Sequence, residues 1–182
     1  MFDYLIKKIK SANFKNEPFE HIYIDNFFNK DHFSEIINSD QINLGEFKSS
    51  RELCKGLLSN GYEPVHFPGC TVNIDEYCNW ESGSSRKYEN VDTTEGFGMA
   101  FRLKIPKYGI ISKIRDFIHS DELKTVLSEK FKINLNDVFS DVGIQKYLNG
   151  YEISPHPDVR NKALTFMVNI NPGLDSENNN FH

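Results

Sequence analysis

The change in hydrophobic periodicity along the chain most strongly constrains its fold. Residues 2–11 carry apolar side chains at the i, i+3, i+4, i+7 spacing of an amphipathic helix, and helices are also predicted over 108–119 and 121–131. Three β-rich runs follow: Val138–Leu148, Tyr151–Ser154 and Leu164–Ile170. The dipeptide Asn149-Gly150, between the first two runs, is typical of a tight β-turn. Helices followed by a cluster of strands predict an α+β fold.

Shorter elements are predicted between these segments. His21–Asp25 alternates like a strand, and Asn29 has the position of a helix N-cap. Phe97–Lys104 has the pattern of a strand that stops before Pro106. Residues 40–95 are rich in Gly and Pro punctuation, which predicts loops, with short strands near 70–75.

Composition limits the class of protein. A length of 182 residues favours one domain, 1–182, that is helical and loop-rich over 1–135 and strand-rich over 136–182. The net charge of −5 argues against a generic nucleic-acid binder, and no apolar run approaches the ~20 residues that span a bilayer. The N-terminus lacks the features of a signal peptide, and the three cysteines form no C-x-x-C pair. These features indicate a cytoplasmic protein with reduced thiols.

The segment His156-Pro157-Asp158 carries the strongest chemical signal. On a strand, residues i and i+2 share a face, so the imidazole and the carboxylate can reach one metal ion. They would supply two of the three ligands of the 2-His-1-carboxylate triad that holds Fe(II). Pro155 and Pro157 remove backbone donors, which places this stretch at a sheet edge or a cavity mouth. The alternative is a surface turn in which both side chains are solvated.

A second His-x-Asp, His119-Ser120-Asp121, serves as an internal comparison. It lies between two predicted helices, where Ser120 has the position of an N-cap and Asp121 is favourable in the first turn. On a helix, residues i and i+2 point about 200° apart. The pattern therefore predicts a helix start at Ser120 and no metal site.

Two parts of the chain resemble a known family. The later part combines a strand with a tyrosine, a glycine turn, His-x-Asp, a basic residue and a strand that ends in Asn. Its residues are Gln145-Lys-Tyr147, Gly150, Pro155-His-Pro-Asp158 and Lys162–Asn171. The earlier part, Pro18–Phe33, has a strand, then Asp-Asn-Phe, then a helix. This arrangement, over roughly 17–37 and 141–172, resembles the 2-oxoglutarate/Fe(II)-dependent oxygenases of the prolyl-hydroxylase-like group, which includes phage-encoded members.

The resemblance implies a fold and a chemistry. The fold would be N-terminal helices packed on a double-stranded β-helix (jelly-roll) sheet, with the start of that core over 136–182. His156 and Asp158 would be Fe(II) ligands, and Tyr147 would face the pocket of the co-substrate 2-oxoglutarate, unless it is a core-facing tyrosine. The enzyme would use O₂ to hydroxylate a substrate that the sequence does not identify. Arg160 and Lys162 either contact co-substrate or substrate, or are solvated loop charges.

The family pattern also requires a second His and, after it, an Arg or Lys for the distal carboxylate of 2-oxoglutarate. After Asp158 the sequence offers only His182, with no basic residue behind it. We therefore expect an incomplete jelly roll that binds iron poorly by itself and leaves an unpaired edge after Ile170. Further chain or a homo-oligomer would cover that edge. The alternative function is a non-catalytic jelly-roll binding or structural module that has lost the second half of the metal site.

Overall fold

The computed structural model describes residues 1–67, 70–81, 90–91, 94–95, 98–134, 138–151 and 161–171. Within these ranges the chain forms six helices and seven short strands. The helices are α1 (Asp3–Ser11), α2 (Lys30–Ile37), α3 (Ser50–Ser59), α4 (Ile74–Glu81), α5 (Gly109–Ile118) and α6 (Asp121–Phe131). The strands are β1 (Phe14–Lys15), β2 (His21–Ile22), β3 (Glu63–Pro64), β4 (Asn90–Val91), β5 (Thr94–Glu95), β6 (Ala100–Leu103) and β7 (Ile144–Tyr147). The mixture of helices and antiparallel sheets confirms the α+β class.

The described residues fall into two compact units. The first comprises Met1–Ile42, Lys107–Val142 and residues 161–171, and it holds α1, α2, α5, α6 and the β1–β2 hairpin. Its core forms where apolar faces of α1 and α6 meet, at Ile6, Ile9, Leu123, Val126 and Leu127. The apolar stripe of residues 2–11 is thus used as predicted, because it is the face that α1 buries.

Two predicted helix starts in this unit are confirmed. The side chain of Asn29 accepts a hydrogen bond from the His32 backbone N–H at the start of α2. Ser120 does the same for the Leu123 N–H at the start of α6. Each cap satisfies a backbone donor that the first turn of a helix leaves without an intrahelical partner. Helices α1, α5 and α6 match the predicted stretches within one residue at each end.

The second unit comprises Asn43–Pro106 and, from residue 143 onward, the described residues to 151. It contains a three-stranded antiparallel sheet in the order β3-β6-β7, together with α3 and α4. Its core cluster is drawn from the helices and from one face of β6. The buried members are Cys54, Leu57, Tyr62, Tyr77, Met99, Phe101 and Leu103.

The prediction of loops and short strands over 40–95 is wrong for two stretches, which form helices. Helix α3 begins at an N-cap, Ser49, whose side chain accepts from the Glu52 N–H, and helix α4 covers Ile74–Glu81. Near 70–75 the only pairing among described residues is a single parallel bridge between Cys70 and Gly98. The Asn73 side chain accepts from the N–H groups at the start of α4, so this polar residue caps a helix.

One strand prediction fails among the described residues, and another is confirmed only in part. No strand forms over Leu164–Ile170, and Leu164 packs against the apolar cluster of the first unit instead. His21–Asp25 shortens to the two residues of β2. Of Tyr151–Ser154, Tyr151 is not in a strand, and 152–154 lie outside the described residues. β-branched composition favours strands only where a partner strand is adjacent, and no sequence pattern supplies that partner.

Among the described residues, the sheets are one three-stranded and two two-stranded antiparallel arrangements. The double-stranded β-helix therefore remains a proposal. In the same part of the chain, no helix has the length and apolar character needed to span a bilayer.

Candidate functional site

The candidate site lies on β7 and its neighbour β6. Successive side chains of a strand alternate between faces, and directly paired residues of antiparallel strands share one. Ile144 packs against the core cluster of the second unit, so the alternate residues Gln145 and Tyr147 lie on the other face. The register pairs Gln145 with Arg102 and Tyr147 with Ala100. We call this side, with Ala100, Arg102, Gln145 and Tyr147, the open face after its one exposed member, Tyr147; Ala100 is fully buried, and Arg102 and Gln145 are half-buried.

A tight turn follows the strand. Leu148 N–H donates to the Met99 carbonyl oxygen at 2.9 Å, and Tyr151 N–H donates to the Leu148 carbonyl oxygen at 3.2 Å. Gly150 has a φ of 82°, which glycine adopts at no steric cost. The buried Tyr77 donates its hydroxyl hydrogen to the Asn149 carbonyl oxygen at 3.1 Å. The predicted turn at Asn149-Gly150 is confirmed, and it is anchored to the core.

The turn brings Tyr151 back onto Tyr147. Their rings stack with centroids 4.3 Å apart and planes 27° apart, and Phe67 lies edge-on to Tyr151 with centroids 6.5 Å apart. Such offset and edge-on arrangements suit the charge distribution of aromatic rings. Tyr147 keeps 45% of its surface exposed. We call the two stacked rings the aromatic wall, and its Tyr147 ring is exposed on the open face.

A glycine beneath this wall allows the close approach. A Cβ at Gly98 would lie 2.4 Å from the Tyr151 nitrogen, 2.5 Å from its Cα and 2.8 Å from the Gly150 carbonyl carbon. Backbone atoms cannot move aside as a side-chain tip can. Gly98 also accepts a hydrogen bond from the Thr71 N–H at 3.0 Å and forms the bridge with Cys70. The position of Tyr151 thus depends on the missing side chain at Gly98.

Arg102 lies beside the aromatic wall. Its stem packs over Gly143, where a Cβ would be 2.3 Å from the Arg102 Nε. Its positive charge acts on the Tyr147 hydroxyl and tends to lower the pKa of that group, although burial is the larger effect and raises it. The Tyr147 hydroxyl donates to Gln145 Oε1. Arg102, Gln145 and Tyr147 therefore form one polar group on the open face.

Burial strengthens the preference of two neighbouring groups for their neutral forms. It raises the pKa of Tyr151 to about 12 and that of the Cys70 thiol to about 11. Desolvation disfavours the charged form of both groups. The site consequently contains neutral phenol donors and a neutral thiol beside one guanidinium.

The predicted site residues have different outcomes. Tyr147 lies on the open face and is not core-facing. His156 and Asp158 lie outside the described residues, as do Arg160 and His182, so their approach to Tyr147 remains a prediction. Lys162 is described and exposed. In the described ranges, no group of three or more His, Cys, Asp or Glu side chains could hold a metal ion.

The second His-x-Asp, His119-Ser120-Asp121, lies at the start of a helix as predicted. Ser120 caps α6, Asp121 is its first residue, and His119 Nδ1 lies 2.8 Å from the Arg115 carbonyl oxygen. The absence of metal binding there remains a prediction.

Sequence reasoning missed Arg102, Gln145 and Tyr151 as members of the site. Gln145 could have been found, since it is two residues before Tyr147 on the same predicted strand. Arg102 could not, because its place next to Gln145 depends on the pairing and register of β6 and β7.

Comparison of the chain with protein-family models, with curated proteins and with solved structures gave no match.

Proposed function

We propose that this chain carries part of the active site of a non-haem Fe(II)- and 2-oxoglutarate-dependent oxygenase. One observation carries the proposal. The strand β7 presents Tyr147 on an open face and then enters the Gly150 turn, and His156-Pro-Asp158 follows along the chain. That order of tyrosine, turn and His-x-Asp is the one that the family resemblance implies. The proposal includes the finer fold, in which β3, β6 and β7 belong to a jelly-roll sheet.

The donor set suits the implied metal. An imidazole nitrogen and a carboxylate oxygen are ligands that Fe(II) accepts in sites with open positions. His156 and Asp158 would hold the ion, and the bound ion would supply the oxidative decarboxylation of 2-oxoglutarate and the hydroxylation of a C–H bond. Tyr147 would face the co-substrate, and its hydroxyl hydrogen would have to turn away from Gln145 Oε1 in order to be donated to a co-substrate carboxylate.

Metal binding is the first test. Mn(II), which keeps its oxidation state in air, is titrated into the 182-residue chain and into its longest in-frame extension, and the free ion is followed by electron paramagnetic resonance. His156→Ala and Asp158→Ala should each weaken Mn(II) binding at least about tenfold, since even the loss of a ligand's hydrogen-bond partner costs that much. The matched controls are His119→Ala and Asp121→Asn, which alter the other His-x-Asp and should leave binding unchanged.

Turnover is the second test. Succinate formed from 2-oxoglutarate and Fe(II) is measured for this chain and for its longest in-frame extension. Turnover by the extension that is lost in Asp158→Ala supports the oxygenase. Equal Mn(II) binding by all four variants, with no succinate from either protein, refutes it and favours the non-catalytic module. Succinate from the 182-residue chain that disappears in His182→Ala would identify His182 as the third ligand.

A further inference from the structure

We infer that Asn149 is a site of spontaneous modification, at which the Asn149-Gly150 peptide rearranges to isoaspartate and releases the turn that holds the aromatic wall. The chain contains two Asn-Gly dipeptides, Asn60-Gly61 and Asn149-Gly150. Their reacting groups differ in hydrogen bonding, so the first dipeptide serves as an internal control for the second. The modification requires neither a metal ion nor the proposed oxygenase function.

The reaction is a cyclisation followed by a hydrolysis. The main-chain nitrogen of Gly150 loses its proton to hydroxide and attacks the side-chain amide carbon of Asn149. A C–N bond forms, the bond from that carbon to the amide nitrogen breaks, and ammonia leaves with a proton from water. Water then opens the five-membered succinimide at one of its two carbonyl carbons, which gives either aspartate or isoaspartate. Glycine favours the first step because it has no Cβ to obstruct the attack.

Both reacting groups of Asn149-Gly150 are available. The turn uses the Tyr151 N–H for its hydrogen bond to the Leu148 carbonyl oxygen, and a turn of this kind leaves the preceding N–H unpaired. Among the described residues, neither the Gly150 N–H nor the Asn149 carboxamide has a hydrogen-bond partner. Asn149 is exposed, so hydroxide and water can reach it.

The Tyr77 hydroxyl assists the first step. It donates to the Asn149 carbonyl oxygen at 3.1 Å, and that carbonyl belongs to the same peptide group as the Gly150 N–H. Loss of the amide proton places negative charge on this carbonyl oxygen by resonance. A hydrogen bond already aimed at the oxygen stabilises that charge, as donors do in an oxyanion hole. The contact that anchors the turn therefore also favours the reactive form of the nitrogen.

The dipeptide Asn60-Gly61 is protected, although it is exposed as well. It follows helix α3, where the Gly61 N–H donates to the Leu58 carbonyl oxygen at 3.0 Å. The Asn60 side-chain nitrogen donates to the Gly56 carbonyl oxygen at 2.9 Å. These bonds satisfy carbonyl groups at the end of the helix, and cyclisation must break both. One net hydrogen bond changes an equilibrium by about two- to tenfold, so Asn60 should react at least about fivefold more slowly than Asn149.

Isoaspartate cannot keep the turn in its present form. It routes the main chain through the former side-chain carbons of residue 149, which adds one atom to the backbone. The carbonyl group that accepts from Tyr77 becomes a carboxylate outside the main chain. The lengthened turn has no room on the side of Gly98, because a single Cβ there would already lie 2.4 Å from the Tyr151 nitrogen. Tyr151 should therefore leave Tyr147, which opens the aromatic wall and destabilises the second unit.

The rates at the two asparagines test the site. The whole 182-residue chain is incubated in mildly alkaline buffer at physiological temperature and sampled over days. Mass spectrometry with electron-transfer fragmentation locates each deamidation and distinguishes isoaspartate from aspartate. Incubation in concentrated urea supplies the reference, because the unfolded chain lacks both sets of hydrogen bonds. We expect Asn149 to react at least about fivefold faster than Asn60 in the folded protein, and the two rates to approach each other in urea.

Asn149→Gln is the matched variant for the effect on the turn. Glutamine keeps the amide but would have to close a six-membered ring, which is slower, so the variant should lose the modification. After equal incubation, the urea midpoint of the native sequence should fall as isoaspartate accumulates, whereas that of Asn149→Gln should not change. The urea curve of the variant before incubation shows whether it folds, and the comparison of Asn149 with Asn60 does not depend on it.

Two results would overturn the inference. In the first, Asn149 reacts no faster than Asn60 in the folded protein, which would mean that the free N–H and carboxamide do not select the site. In the second, isoaspartate accumulates at Asn149 and the urea midpoint stays unchanged, which would mean that the modification does not release the turn.

Discussion

The close approach at Gly98 gives the sharpest test of the site's construction. In Gly98→Ala, the new Cβ would be 2.4 Å from the Tyr151 nitrogen, whereas ordinary contacts are 3.4 Å or more. The turn that contains Gly150 and Tyr151 must therefore move by about 1 Å. It is tied to Tyr77 and to Leu148 by hydrogen bonds, so the movement strains those bonds as well.

The magnitude follows from two opposing effects. Overpacking of this kind costs ~1–3 kcal/mol. Alanine also reduces the freedom of the unfolded chain, which returns ~0.4–1 kcal/mol. We expect a net loss of about 1–2 kcal/mol in the free energy of unfolding, or roughly a five- to thirtyfold change in the folding equilibrium.

Gly56→Ala is the matched control. Its Cβ would lie 2.5 Å from the tip of the Phe47 ring, an overlap of almost the same depth. A ring can rotate aside where a backbone cannot, and Gly56 lies within α3, where alanine is favoured over glycine by ~0.8–1 kcal/mol. We expect Gly56→Ala to leave stability unchanged or to raise it by up to about 1 kcal/mol.

Urea unfolding followed by tryptophan fluorescence measures both variants. Trp80 is the single tryptophan, and it packs against the core cluster of the second unit. Gly56 and Gly98 both belong to that unit. If Gly98→Ala is as stable as Gly56→Ala, the Tyr151 backbone does not approach Gly98 closely and the reasoning about the aromatic wall is wrong.

Three further predictions concern other parts of the chain. Ser120→Ala should cost about 1 kcal/mol in urea unfolding, because the Leu123 N–H loses its acceptor, and an unchanged midpoint would contradict the cap. The pKa of Tyr151 is raised from 10.0 to about 12, so the folded state holds this proton more tightly than the unfolded state. The Tyr151 phenol should not affect the free energy of unfolding below pH 10, and that free energy should fall as pH rises from 10 to 12. Urea midpoints across that range should show a smaller fall in Tyr151→Phe. Iodoacetamide labelling followed by mass spectrometry should modify Cys78 first, because Cys54 and Cys70 are buried. Burial also raises the pKa of the Cys70 thiol, so early labelling of Cys70 would contradict its burial.

Elements whose signals are local could be predicted from the sequence. The apolar stripe of α1, the caps at Asn29 and Ser120, and the turn at Asn149-Gly150 each depend on a few neighbouring residues. The chemistry of such signals is complete within one or two turns of chain, since a cap or a tight turn satisfies its own backbone groups. His156-Pro-Asp158 belongs to the same class of local signal, and its metal site is still to be tested.

Only the tertiary structure decided which strands pair and which side chains therefore meet. Leu164–Ile170 has strand-like composition but packs against an apolar cluster, whereas Arg102 and Gln145 are adjacent only because β6 and β7 pair in one register. The close contact of Gly98 with Tyr151 likewise joins residues that are far apart in the chain. Strand pairing is non-local, and its energy comes from cross-strand contacts and burial that no single segment contains. The sequence alone could therefore suggest a metal-binding pair and a tyrosine, while the aromatic and cationic face around that tyrosine depends on how the strands pair.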